Sequence, residues 1–340
     1  MTKYTVAFLI ALFLVSSLIP ETMAVLPEIN NPTMMDISGS ELYILDNVQI
    51  KVYSLKDYRF LRKFGKRGEG PGELLTTPDA PFTMIVHEEK VLLNSVYKAI
   101  VYDKSGKMVR EIKIAPSFLV EAVPSGENYV ATKFKWVDAT ATARTLIVDH
   151  GFKELKMIYE TALPSSYKKR KIVMPPISTF ARCTEDRIFV FDQQKDTIKV
   201  FDLEGKPLPD IKVPYEEIRT DDAFKKKVAD TLAIHPTFKR TPPEFKKMLY
   251  TPDVLPVFRD CRVKGDKLYI QTYRQKGDLS EFIFLDFSGK VLKKLFLPGS
   301  ETLQIRLNPA STFAFKGDMY YYLVDNLDEE QWELNVQKLD

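Results

Sequence analysis

The sequence has few of the residues that usually identify an enzyme. Its 340 residues include two cysteines and three histidines, and no Walker sequence, serine-centred elbow or Cys-His pair occurs. His87 and His150 lie in or beside turns of a repeated pattern, and His235 lies in a segment outside it. Three histidines so placed do not predict a shared zinc site, and no catalytic or metal-binding residue is predicted.

The sequence also lacks a large excess of positive or negative charge. Lysine and arginine total 49 against 46 acidic residues, which gives a formal net charge of +3. Nucleic acids and anionic membranes attract proteins through a strong positive field. The nearly balanced charge therefore predicts no nucleic-acid partner, and it does not restrict which small ligands could bind.

Long apolar runs are absent except near the start of the chain. Lys3 precedes the apolar run from Val6 to Ile19, and Thr22-Met23-Ala24 forms a small-x-small cleavage pattern. Residues 1–24 are predicted to be a signal peptide, and residues 25–340 the mature chain. An uncleaved anchor is the alternative, although the run is shorter than the about 18 to 20 residues of a spanning helix. We expect a periplasmic or extracellular protein with no stable membrane span after cleavage.

The two cysteines leave one covalent question open. Cys183 and Cys261 occupy equivalent positions in adjacent repeat units. An oxidising compartment would permit a disulfide between them. Two small buried thiols are the alternative.

What the sequence does contain is a repeat rich in aromatic residues. A turn with Gly, Asp or Glu feeds a strand with an aromatic or aliphatic centre, and a second strand follows that often ends in an Asp-x-x-Gly turn. The first parts are 38–44, 88–93, 125–130, 185–190, 265–270 and 317–321. The second parts are 50–53, 100–107, 146–151, 198–206, 282–290 and 334–337.

Six such units of four short strands predict an all-β fold, a six-bladed β-propeller of four-stranded antiparallel blades. The last unit has only three strands, around 312–315, 319–324 and 332–338. A closed ring leaves no exposed sheet edge. We therefore expect Val25 to Asn30 to supply the missing strand.

The segment Phe64 to Leu74, followed by Thr77-Pro78, resembles the glycine-rich connector of NHL repeats and of bacterial six-bladed propellers. The glycine spacing fits neither a dinucleotide fingerprint nor a P-loop, so a bent connector is the preferred interpretation. The resemblance implies a scaffold that hosts protein, sugar or lipid binding as well as lactonase and lyase activities. It does not imply one function.

A segment at about 215–256, between blades 4 and 5, does not follow the repeat. Thr220 or Asp221 could cap a helix from Ala223 to Leu232, and Thr241-Pro242-Pro243-Glu244 could begin a second one at Phe245 to Leu249. A short helical insertion of two helices is therefore expected.

Strand direction places this insertion at one end of the propeller. The connectors between blades and the loops between second and third strands share that end, which we call the insertion face; the other end is the turn face. Functional residues are often carried by loops on a rigid scaffold. Guanidinium groups near the channel could bind a carboxylate, phosphate or acidic sugar. The predicted ligand-binding residues are Tyr97, Trp136 and Arg274 on the insertion face and Arg182, Arg259 and Arg262 near the channel.

The sequence thus favours a non-catalytic binding module that engages a protein or carbohydrate ligand. The alternative is a metal-dependent hydrolase or lactonase with its site at the central channel. No cofactor is expected, although calcium is a possible one, since Asp36, Asn94, Asp192 and Asp260 could converge on a hard cation.

Overall fold

The structure is a computed structural model. Its described residues are 21–74, 83–87, 89–95, 98–113, 119–125, 127–137, 140–163, 172–173, 175, 177–234, 243, 247–299 and 311–339. They form six antiparallel sheets of four strands, arranged as the six blades of a propeller. The predicted fold class is confirmed.

Blade 6 combines both ends of the chain, so its outer strand β1 (Glu21–Val25) comes first in sequence. Blade 1 consists of β2 (Pro32–Ser38), β3 (Glu41–Asp46), β4 (Gln49–Ser54) and β5 (Phe60–Phe64). Blade 2 consists of β8 (Thr83–Val86), β9 (Lys90–Asn94), β10 (Lys98–Asp103) and β11 (Met108–Lys113). Blade 3 consists of β12 (Leu119–Ser125), β13 (Asn128–Val137), β14 (Thr140–Val148) and β15 (Glu154–Ala162). Between blades 1 and 2, β6 (Lys66–Arg67) pairs with β7 (Glu73–Leu74).

The remaining blades follow the same order. Blade 4 consists of β17 (Thr179–Cys183), β18 (Ile188–Asp192), β19 (Thr197–Phe201) and β20 (Pro207–Lys212). Blade 5 consists of β22 (Asp260–Lys264), β23 (Lys267–Lys276), β24 (Leu279–Asp286) and β25 (Val291–Pro298). Blade 6 consists of β26 (Phe313–Lys316), β27 (Met319–Asn326) and β28 (Gln331–Lys338), together with β1. A parallel pair, β16 (Ile172–Val173) and β21 (Leu249–Tyr250), joins two connectors. The helix α1 (Asp222–Ile234) lies between blades 4 and 5, as predicted.

The core lies between neighbouring blades, because the two faces of each inner strand are both covered. Between blades 5 and 6 it is aromatic: the rings of Tyr269 and Phe315 stack with centroids 4.1 Å apart, and Phe282 meets Phe313 edge to face at 5.2 Å. Aromatic pairs in these geometries add to the free energy of apolar burial. The high aromatic content is therefore used mainly to pack one sheet against the next.

The ring closes through the chain ends, but not with the expected residues. The prediction that Val25 to Asn30 forms the closing strand is wrong: Glu21–Val25 pairs with β28 instead. Pro27 has no N–H to continue the ladder, and the buried side chains of Leu26 and Ile29 turn the chain inward toward blade 1. The closing strand is therefore displaced toward the N-terminus.

The predicted Asp-x-x-Gly turns lie between the third and fourth strands of blades 2, 4 and 5. The Asp286 carboxylate accepts hydrogen bonds from the backbone N–H groups of Ser288 and Lys290 at 2.8 and 3.0 Å. Gly289 follows with a φ of 87°, which glycine adopts without steric cost. Asp103 and Asp202 accept equivalent bonds. These turns are therefore satisfied locally and form at the turn face.

The same turns also contact the preceding blade. A Cβ atom at Gly205 would lie 2.4 Å from Cγ2 of Ile158, and one at Gly106 would lie 2.6 Å from Cδ1 of Phe64. Each glycine therefore permits a close approach between blades as well as a left-handed turn.

Basic side chains fasten three successive blade junctions at these turns. In each, an arginine or lysine from a fourth strand donates to a backbone carbonyl of the turn between the third and fourth strands of the next blade. The pairs are Arg62 to Lys104 O, Arg110 to His150 O at 3.0 Å, and Lys156 to Glu204 O and Gly205 O at 2.8 and 2.9 Å. We call these contacts the basic clasps.

The glycine-rich segment is a connector between blades 1 and 2, as far as residue 74, where its description ends. The Gly72 N–H donates to Glu111 Oε2 at 2.6 Å, and the Gly70 N–H donates to Glu73 Oε2 at 3.0 Å. The bond from Gly72 is the main reason that the pKa of Glu111 lies below its usual value. These two N–H groups are thus occupied by the protein's own carboxylates.

No disulfide joins Cys183 and Cys261; Cys261 is buried as the second alternative expected, whereas Cys183 is only partly buried. Burial raises the pKa of the Cys261 thiol. Of the two predicted helices, α1 is present, while Phe245 lies outside the described residues. Leu249 belongs to the strand β21 rather than to a helix.

Candidate functional site

The insertion begins as a paired stem rather than as a loose loop. Its outgoing arm, Tyr215 to Thr220, runs antiparallel to its returning arm, Pro252 to Val257. The Leu255 N–H donates to Ile218 O at 2.9 Å, and the Tyr215 hydroxyl donates to Leu255 O at 3.2 Å. The stem therefore holds the two ends of the insertion together.

The helix α1 caps this stem. Asp221 is the N-cap, since its carboxylate accepts the Phe224 N–H at 2.7 Å. Val228 and Leu232 are 4% and 2% exposed, as expected for the apolar stripe of the predicted helix. Lys225 pairs with Asp253 of the returning arm at 2.7 Å.

Gln193, in the loop between the second and third strands of blade 4, anchors the stem to the ring. Its backbone carbonyl accepts the Val257 N–H at 3.0 Å, and its side-chain amide donates to Phe258 O and Arg259 O at 3.1 and 2.9 Å. Gln193 is 3% exposed, so these bonds are shielded from water. The insertion is thus seated on blade 4 before the chain enters blade 5.

A shallow groove with a cavity volume of about 20 Å³ lies between the stem and blade 5. Its lining combines apolar and charged side chains, which suits an amphipathic ligand. The lining residues are Val213, Pro214, Tyr215, Glu216, Ile218, Val257, Thr272, Arg274, Glu281, Ile283 and Lys294.

Arg274 is the predicted ligand-binding residue that lies in this groove. Its guanidinium group pairs with Glu216 of the stem at 2.6 Å and lies 3.9 Å from Glu281. Thr272 fixes the second carboxylate, because its hydroxyl donates to Glu281 Oε2 at 2.8 Å. The Arg274 and Glu216 side chains are 42% and 74% exposed, so both are accessible to a partner.

The three arginines predicted near the channel lie in or directly before the inner strands of blades 4 and 5. Arg182 lies in the inner strand of blade 4 and Arg262 in that of blade 5, and the positive charges of both oppose the rise in the pKa of the Cys261 thiol. Arg259 is 4% exposed and acts instead on the buried hydroxyls of Tyr273 and Tyr320.

Arg262 is buried with one edge unsatisfied. It is 7% exposed, and its Nε and Nη2 atoms have no hydrogen-bond partner within the described part of the chain. Asp260 Oδ2 lies 3.4 Å from Nε, but this oxygen accepts the Ser311 hydroxyl at 2.6 Å. Such an arrangement destabilises a protein unless water or an anion supplies an acceptor.

The inner strands are also linked across blades at the turn face. Lys264 of blade 5 pairs with Asp36 of blade 1 at 2.6 Å and donates to Ile37 O at 3.2 Å. Blade 6 lies between these two blades, so the contact bridges three blades.

The remaining site predictions have separate outcomes. Tyr97 lies outside the described residues. Trp136 lies in β13, where its backbone pairs with Ala141, and its side chain is also outside the description. Of the carboxylates considered for calcium, Asp192 accepts the Tyr159 hydroxyl at 2.8 Å, Asp36 pairs with Lys264, and Asp260 accepts the Ser311 hydroxyl. Over the described ranges, no three His, Cys, Asp or Glu side chains form a group that could hold a metal ion.

The sequence did not single out Glu216, Thr272 and Glu281 as site residues. Glu281 carries a weak signal, as a charged residue at the start of the apolar run from Phe282 to Leu285. Glu216 carries none, because its partner Arg274 is 58 positions away.

Comparisons with known proteins support the fold and leave the family open. No family model matches the chain, and no curated protein sequence matches it. The NHL resemblance is therefore not confirmed.

Solved structures do match. One is a protein of Bacteroides fragilis NCTC 9343 that is described as exported, with 12% identity, a TM-score of 0.53, and coverage of 95% of this chain and 93% of that chain. Another is a member of the DUF4221 family from Bacteroides vulgatus ATCC 8482, with 10% identity, a TM-score of 0.48, and coverage of 93% and 98%. At these identities the likeness concerns the fold alone.

The described residues contain no helix with the length and apolar character needed to cross a membrane.

Proposed function

We propose that this protein is an exported, non-catalytic binding module that engages a protein or glycan through its insertion face. The observation that carries the proposal is the groove between the stem and blade 5. It is the place where a predicted binding residue, Arg274, lies beside the segment that departs from the repeat.

The chemistry of the groove supports recognition by an amphipathic partner. Val257 and Ile283 are buried beneath it, while Glu216 and Arg274 pair at its rim. An exposed ion pair contributes little to stability, so it can exchange partners at low free-energy cost. A protein segment with an apolar side chain beside a charge fits this arrangement, and so does a glycan whose ring covers Tyr215.

The main test replaces the insertion while preserving the ring. Arg219 and Val254 are bridge partners in the stem, so a short Gly-Ser turn can join them in place of residues 220–253. Wild-type and shortened proteins would be immobilised and probed with envelope extracts and a glycan array. We expect a saturable partner whose affinity falls at least tenfold in the shortened protein.

Point variants make the test local to the groove. Arg274→Ala and Glu216→Ala should each weaken the same interaction, whereas Arg62→Ala at the turn face is the matched control and should not. Equal binding by the wild-type and shortened proteins would contradict the proposal. So would stoichiometric calcium or zinc in the purified protein together with hydrolysis of esters or lactones.

A further inference from the structure

The ring is closed where β1 pairs with β28, and we call this junction the seam. Four of the five residues of β1 lie within the predicted signal peptide, residues 1–24. In β1, Glu21, Thr22, Ala24 and Val25 pair with Val336, Asn335, Leu334 and Glu333 of β28. The Thr22 hydroxyl lies 3.2 Å from Glu333 Oε2 and 3.2 Å from Asn335 Oδ1. β1 therefore makes both backbone and side-chain contacts with the last strand.

A cut after Ala24 would remove four of the five residues of β1. Only the pairing of Val25 with Glu333 would remain. β28 would become an edge strand with a row of unpaired N–H and C=O groups, and such edges promote pairing with other chains. The strand from Gln331 to Lys338 contains no proline, so each of its residues has a backbone N–H that could pair with another chain.

The residues after β1 are held independently of it. The Leu26 N–H donates to Trp332 O at 2.8 Å, and the Asn31 N–H donates to Asp46 Oδ1 at 2.7 Å. Lys51 donates to Glu28 O and pairs with Asp46. Loss of β1 would therefore open the outer edge of blade 6 without freeing the entry into blade 1.

We infer that the mature protein retains Glu21–Val25 and that export processing takes place upstream of Glu21. The inference rests on the exported character in the proposed function. Ser17, with Val15 two residues before it, is the small residue upstream that best fits a cleavage site. A signal peptidase would hydrolyse the Ser17–Leu18 peptide bond with one water molecule, leaving a carboxylate on Ser17 and a new amino terminus on Leu18.

The first measurement is the amino terminus of the exported protein. The full chain, with a C-terminal tag, would be expressed in a secreting bacterium and purified from the periplasm or medium for N-terminal sequencing and intact mass. A first residue after Met1 and no later than Glu21 supports the inference, and Leu18 is the expected one; an exported chain that still begins at Met1 overturns it. A first residue after Glu21, including Val25, overturns it.

Cleavage-site variants give an independent readout. A large side chain directly before the cut blocks processing, so Ser17→Leu should accumulate precursor and Ala24→Leu should be processed normally. The reverse result would overturn the inference. Failure of both wild type and variants to leave the cytoplasm would instead contradict the exported character of the proposed function.

A stability comparison tests the structural reason without export. Chains beginning at Leu18 and at Val25 would be made in the cytoplasm and unfolded in urea. We expect the shorter chain to have an at least tenfold larger unfolding equilibrium constant and a greater tendency to self-associate. Equal midpoints and equal association would show that β1 does not seal the ring, which would remove the basis of the inference.

Discussion

Two arginine–glutamate pairs lie at opposite ends of the propeller and differ in what surrounds them. At the turn face, Arg62 forms two parallel bonds of 2.7 Å to the Glu41 carboxylate, and both side chains are 25% exposed. At the insertion face, Arg274 and Glu216 are 42% and 74% exposed and meet at 2.6 Å. The pair distances are nearly equal, so distance does not distinguish their roles.

The difference lies in their further contacts. Arg62 also donates to Lys104 O in the next blade, and its bonds hold the pKa of Glu41 below its usual value. The same kind of basic clasp recurs at the next two junctions. Arg274 instead lines a groove between a stem and a blade. The turn face therefore carries repeated contacts that stabilise the ring, whereas the Arg274 pair at the insertion face is solvent-exposed and is not repeated at other junctions in the described part of the chain.

The largest effect is expected where a turn packs against the preceding blade. Gly205→Ala would place a Cβ 2.4 Å from Cγ2 of Ile158 at a φ of 73°. Left-handed strain and overpacking together should cost about 3 kcal/mol. Gly265→Ala is the matched control, with a φ of 58° and no atom within 4 Å of the new Cβ, and should cost about 1 kcal/mol. Urea unfolding measures both, and equal losses would show that the turn does not pack as described.

The second effect compares the two arginines directly. Arg62→Met should lower the free energy of unfolding by about 1 to 2 kcal/mol, because charged hydrogen bonds to Glu41 and to the next blade are lost. Arg274→Met should change it by less than about 0.5 kcal/mol, as is usual for an exposed pair. Thermal unfolding of both variants checks the comparison. A larger loss for Arg274→Met would reverse the roles assigned to the two faces.

The smallest effect concerns pH at the turn face. Burial lowers the pKa of Lys104 to about 8 from its ordinary value of 10.5, despite the opposing fields of Asp36, Glu41 and Glu89. Its ammonium lies over the Tyr43 ring at 4.8 Å. Because the folded-state pKa is the lower one, the charged form destabilises the fold below pH 8, and this penalty fades as pH rises from about 8 to 10.5.

Lys104→Met should therefore raise stability near pH 7, by no more than about 1 kcal/mol because solvent screens the half-buried ammonium. The advantage over wild type should disappear above pH 10.5, the ordinary pKa of lysine. Urea midpoints of both proteins across this range provide the measurement. A constant difference at all pH values would indicate that packing, rather than charge, is responsible.

Much of the turn face could be predicted from the sequence because each turn is formed by residues that are close together in the chain. Asp286 and Gly289 are three residues apart and bond within their own turn, so the pattern alone indicated the structure. The clasps were not predicted, because Arg62 and Lys104 lie 42 positions apart and become neighbours only when two blades pack.

The insertion face was predicted less completely. Asp221 and the stripe of Val228 and Leu232 marked α1, since caps and stripes are local signals. The groove was not predicted, because it requires the stem to lie against β23 and β24. The sequence predicted that an N-terminal strand closes the ring, but the strand observed lies further toward the N-terminus than expected. Its position depends on where Leu26 and Ile29 can be buried.

By itself, the sequence determined the repeat: six sets of alternating strands, turns whose aspartate and glycine satisfy their own backbone, and an insertion after the fourth set. Tertiary structure alone decided which arginine stabilises the ring and which one borders a groove, and which residues seal the seam. The physical reason is that burial and hydrogen-bond partners depend on neighbours that are distant in the chain. Identical residue types therefore acquire different roles only when the blades come together.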